Sequence, residues 1–179
     1  MGKHMKAASK NGSKPSRYEI EDYKRSLENA NDFQCIFDLV RRIVKRVLGR
    51  ERAGLMLFLA DLPISIGAYH GLGSNSIVLN RRIIEALERN CKDRVEVNSY
   101  IFIVLLHEYL HSLGYVDEYL TRKLVYGIAA ETFGHEHPTT RMAEEGPARL
   151  LDRFDSYTIG ERPPELVKEF DSTYQSYIH

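Results

Sequence analysis

The chain has 179 residues, and its 25 Lys and Arg balance 25 Asp and Glu; this length suits one domain, and the zero net charge gives no field that would draw nucleic acid or anionic lipid. A composition of 43% hydrophobic and 28% charged residues excludes disordered and collagen-like classes and is enough for a sizeable core. Uninterrupted apolar runs such as Ile101–Leu106 fall far short of the roughly 20 residues of a membrane helix, and Cys35 and Cys91, with no CxxC pair, argue against a disulfide framework or a thiolate zinc ribbon.

Met1–Pro15 is rich in Lys, Ser, Gly and Asn, so ordering it would gain little burial against the entropy lost; a disordered tail is expected ahead of a single domain over residues 16–179. No apolar stretch follows this start, so no secretory leader is expected and the default location is cytoplasmic. Ser16 followed by Glu19 has the form of a capping box, which predicts a helix to about Asn29. Asp32 caps a second helix, in which Phe33, Ile36, Phe37, Val40, Ile43, Val44 and Val47 recur at helical spacing until Gly49. The cations Arg41, Arg42, Lys45 and Arg46 fall between them and read as the wet face.

The pattern then shortens. Leu55–Leu59, Ile64–Tyr69 and Ile77–Leu79 read as strands, with a hairpin turning through Gly71–Asn75. Asn80 caps a helix over Arg81–Arg89, and Asn98 or Ser99 starts the next, which is apolar on nearly every side and ends near Gly114. Asp117 is placed to cap a helix over Glu118–Phe133 closed by Gly134, and Thr139 or Thr140 to cap a last one toward Phe154. Beyond Glu161 the chain is polar. The expected class is α+β, helix-rich, with a small sheet preceding a central helix.

That central helix carries His107-Glu108-Tyr109-Leu110-His111, an H-E-x-x-H pattern. Residues four apart on a helix lie on one face, so both imidazoles can meet one ion, and Glu108 sits about 100° round, close enough to act as general base without being a ligand. Burying two His and a Glu without a shared task is costly. A Zn2+ ion held there would acidify its water for the attack.

The longer stretch His107–Asp117 reads H-E-x-x-H-x-x-G-x-x-D and resembles the zincin metallopeptidases, in particular the metzincin signature with an Asp third ligand. The resemblance implies a zincin-like fold, zinc held by His107, His111 and Asp117 after the turn at Gly114, Glu108 as catalytic base, and a peptide or protein substrate paired along a sheet edge at Ile64–Tyr69 or Ile77–Leu79. Met142 stands where a Met-turn is sought. Asp117 also serves as a helix cap, and rivals for the third ligand remain open: Glu131, at a spacing that resembles the gluzincins, then His135, His137 and Glu118. Tyr109 and Tyr115 are possible oxyanion donors, with core packing the commoner fate of Tyr109. His70 reads as a solvated loop residue beside the presumed edge. The expectation is a zinc-dependent peptidase; the alternatives are a metal-binding or regulatory protein without turnover, or a helical interaction module.

Overall fold

The computed structural model describes residues 14–151, 162–168 and 170; residues 1–13 of the expected tail lie outside these. Helix α1 (Arg17–Glu28) opens on a complete capping box, in which Ser16 Oγ accepts from Glu19 N at 3.2 Å and the Glu19 carboxylate accepts from Ser16 N at 2.7 Å. Helix α2 (Phe33–Leu48) starts where Asp32 accepts from Cys35 N and stops at Gly49, whose φ of 66° suits a residue without a side chain. The cations of α2 are used internally: Arg42 pairs with Asp22, Lys45 with Glu51, and Arg46 with both Glu19 and Glu131.

Strands β1 (Met56–Ala60), β2 (Ala68–His70), β3 (Ser76–Asn80) and β4 (Glu165–Val167) form one mixed sheet in the order β2-β3-β1-β4. β1 runs parallel to β3, with Phe58 opposite Val78, while β2 and β4 are antiparallel to their neighbours. The hairpin between β2 and β3 turns where Ser74 N donates to Gly71 O, within the expected Gly71–Asn75 segment. β2 is shorter than the sequence reading: Ile66 N donates to Pro63 O, so Ile64–Gly67 folds into a turn before the strand begins. β4 lies in a segment read as merely polar, and its pairing with β1 is a contact across about a hundred positions that no local pattern encodes.

Helix α3 (Arg81–Asn90) is capped by Asn80. Helix α4 (Arg94–Ser112) begins at Asp93, earlier than Asn98 or Ser99, because those two polar side chains are buried and committed elsewhere. Asn98 Nδ2 donates to Leu27 O and Ala30 O, and Ser99 Oγ meets Thr139 Oγ1 at 2.8 Å. Tyr100 to Leu106 are all buried, so α4 is the axis of the core, with α1, α2 and α5 (Glu118–Phe133) around it and the sheet beside it. Helix α6 (Pro138–Glu145) is capped by His137 rather than by Thr139 or Thr140, and Gly146-Pro147 separates it from α7 (Ala148–Leu151), so the expected last helix is broken in two here, while its expected end near Phe154 lies outside the described residues. No helix among the described residues is long and apolar enough to cross a membrane.

Candidate metal centre

His107 and His111 project from the last turns of α4, and the chain then reverses at Gly114, whose φ of 95° favours glycine. The reversal brings the first turn of α5 against that face. Glu118 Oε1 lies 3.4 Å from His107 Nε2 and 3.3 Å from His111 Nε2, and the two Nε2 atoms are 2.9 Å apart. Donors bound at about 2.1 Å around a tetrahedral zinc ion lie about 3.4 Å from one another, so the two His–Glu spacings fit such an ion closely. The shorter His–His separation is that of a hydrogen bond donated by His107 Nε2–H, and moving that proton to Nδ1 gives His107 its own lone pair.

The tautomer of His111 follows from its partner. Its Nδ1 lies 2.6 Å from Tyr115 O, and since a carbonyl only accepts, Nδ1 carries the proton and Nε2 presents a lone pair to the cluster. Burial holds the His107 imidazole below its ordinary pKa, an effect that the Glu118 charge opposes and that of His111 reinforces. For Glu118 burial works against ionisation, but the two imidazoles outweigh it and hold the carboxyl below the usual range. A His107 imidazole held toward its neutral form, a His111 ring whose Nε2 presents a lone pair and a Glu118 carboxylate are the donors a divalent zinc ion needs, so the donor set fits.

Glu108 is 7% exposed on the adjoining face of α4. Burial pushes its carboxyl up to about 7, with the Glu118 charge adding to the rise, while His111 and the main-chain N–H of His70, which donates to it, pull the other way. A carboxyl poised there is suited to both taking and returning a proton near neutrality. His70 therefore reaches the centre through its backbone, while its ring Nδ1 donates to Ser76 O. Sequence offered no sign of this contact beyond the position of His70 at the expected edge strand.

Of the residues that the sequence singles out, the structure brings His107, His111 and Glu118 together with Glu108 alongside. Asp117 stands apart from the three donors, with its Oδ1 accepting from Leu120 N at 2.8 Å as the cap of α5. Glu131 pairs with Arg46, His135 meets Tyr126 Oη, and His137 caps α6 while stacking on Phe133. Tyr109 is buried with its hydroxyl accepting from Arg52 N, and the Tyr115 ring lies under Arg50.

Beside the centre opens a cavity of about 400 Å³. Tyr100, Ile103 and Val104 of α4 form its floor and continue the stripe that carries His107; Ile64–Ala68 make one wall, Arg122 and Val125 the other, and Ala143 with Gly146–Ala148 the end. Gly67 makes the first wall possible, since a Cβ there would stand 2.8 Å from Tyr100 Oη. Among the described residues β2 is the outer strand of the sheet, with no strand neighbour on one side, and it lies against α4 at this cavity. No known protein family, curated protein or solved structure matches the chain.

Proposed function

We propose that the protein is a zinc-dependent peptidase of zincin-like design, with His107, His111 and Glu118 holding the ion and Glu108 acting as general base. The observation that supports it most strongly is the convergence of three ligand atoms within 3.4 Å of one another at the side of a buried carboxyl. Glu118 takes the place that the sequence resemblance gave to Asp117, because Asp117 is engaged by the backbone of α5. A bound zinc ion would supply Lewis acidity, polarising a carbonyl and lowering the pKa of water.

The chain's own groups supply the rest. Glu108 receives the proton from the attacking water at its carboxylate and returns it to the departing amine, and the His70 N–H holds that carboxylate in place. Tyr115 O orients the His111 ring through Nδ1. The side of β2 that has no strand partner among the described residues offers main-chain groups to an extended peptide, and the apolar part of the cavity, from Ile64 and Ile66 to Val125 and Ala148, accepts a large apolar side chain. Several exposed apolar residues, among them Tyr69, Leu72, Val116 and Tyr119, add apolar surface that suits an extended polypeptide.

The test is metal content by plasma mass spectrometry together with hydrolysis of an unfolded protein and a peptide library. One zinc per chain is expected, with Glu108→Gln keeping the ion and losing at least about a hundredfold in rate. Zinc bound without turnover would make the protein a metal-binding rather than a catalytic one, and a Gln variant that cleaves at the parental rate would remove Glu108 from the base role.

A further inference from the structure

We propose that Thr121 is a positioning residue for the metal donors, a single buried hydroxyl that sets His111 and Glu118 together; the inference rests on reading the His107, His111 and Glu118 cluster as a metal site. Thr121 is fully buried on α5, although its neighbours Leu120 and Arg122 are exposed. Its Oγ1 donates to Tyr115 O at 3.1 Å. A helical threonine ordinarily returns its hydroxyl to the carbonyl one turn back in its own helix; this one leaves the helix and reaches the reversal between α4 and α5.

Tyr115 O has two lone pairs, and the other partner is His111 Nδ1 at 2.6 Å. The same oxygen thus fixes the tilt and tautomer of a metal-binding imidazole and the roll of α5 about its axis. Roll matters because Glu118 and Thr121 are three apart and share a helix face, so the bond that turns Thr121 inward turns Glu118 toward the imidazoles. Valine would fill the same volume with no polar group to bury, so packing gives no reason for a hydroxyl at this position. Thr132, buried on the same helix, supplies the contrast, since its Oγ1 has no hydrogen-bond partner among the described residues.

The experiment measures zinc affinity by competition with a chromogenic chelator for the full chain and for Thr121→Val, Thr121→Ser and Thr132→Val, beside the thermal midpoint of each metal-free protein. Thr121→Val should weaken zinc binding by about tenfold or more, Thr121→Ser should recover to within about threefold of the parent, and Thr132→Val should bind as the parent does. Should Thr121→Val fail to fold, Thr121→Ala takes its place with the same expected loss. Parental affinity in the hydroxyl-free variant, a serine no better than valine, or an equal loss in Thr132→Val would each overturn the proposal. A parent chain that takes up no zinc overturns the metal-site reading and this inference together, whereas hydrolysis does not enter the measurement, so failure of the peptidase reading alone leaves the result standing.

Discussion

The clusters of polar side chains around Asp61 and around His107 differ as a staple differs from a candidate metal site. Around Asp61 every acceptor meets a donor: Oδ1 takes Arg81 Nε at 2.9 Å, Oδ2 takes Arg162 N at 2.9 Å, and Arg162 continues to both oxygens of Glu85 at 2.7 and 3.0 Å. Arg81 also donates to the carbonyls of Arg162 and Pro163, so the network ties β1 and α3 to the chain entering β4. Around His107 three potential lone-pair atoms share a single proton. Two imidazole nitrogens and a carboxylate oxygen point at one spot with one exchangeable proton between the rings. Matched donors and acceptors neutralise themselves; converging lone pairs match a cation.

The sharpest way to break that contrast is to remove Asp61. Asp61→Ala leaves the 7% exposed Arg81 with only its 3.6 Å pairing to the exposed Glu165 in place of a buried carboxylate and should cost about 3 kcal/mol in denaturant unfolding while one zinc still binds. The pH dependence has the matching sign. Burial alone would raise the Asp61 carboxyl, but the hydrogen bonds from Arg81 and Arg162 overcome it and hold it well below its ordinary range. Its folded pKa is depressed, so its contribution is present above the unfolded value of about 4 and is lost as pH falls through the folded one. Thermal melts from pH 6 to pH 2 should show this loss in the parent and a flatter profile in Asp61→Ala.

Next in size, Glu118→Ala should weaken zinc at least about a hundredfold with little change in metal-free stability, because its side chain is 61% exposed. Asp117→Ala should do the reverse, losing about 1 kcal/mol of capping energy and keeping zinc affinity within a few fold. The opposite ranking in a chelator competition would return the third ligand to Asp117.

Smaller, and opposite in sign to the Asp61 effect, is the titration of Glu108. A carboxyl raised to about 7 by burial destabilises the fold progressively between about pH 4.5, where the unfolded chain ionises, and about pH 7, where the folded one does. Chelator-treated Glu108→Gln should therefore match the parent near pH 4 and exceed it by on the order of 2 kcal/mol at pH 8. Identical melting curves at pH 8 would mean that Glu108 is not held in a desolvated site.

Much of this was legible from local chemistry. The caps Ser16, Asp32, Asn80 and Asp117 and the stop at Gly49 were readable because each acts on neighbours within one turn. The start of α4 was not, since Arg94 to Glu96 carry no apolar period and the polar Asn98 and Ser99, which have the chemistry of caps, are satisfied by Leu27, Ala30 and Thr139. β4 depends on pairing with a distant strand. His107, Glu108 and His111 stood out by spacing, but Asp117 and Glu118 are adjacent, and only the roll of α5 after Gly114 decides which carboxylate faces the imidazoles. The cavity draws on four separated segments and has no sequence signature.

The shortness of the donor set has a kinetic consequence. His107 and Glu118 are eleven positions apart, so the loop that brings the donors together closes at small entropic cost and needs only the corner between α4 and α5. Loops of about ten residues close in well under a microsecond, long before the sheet, whose β1–β4 pair joins distant parts of the chain, can assemble. A cation captured by that corner would select the native reversal at Gly114 early, biasing the order of folding events while leaving the sheet and the Asp61 network to form on their own.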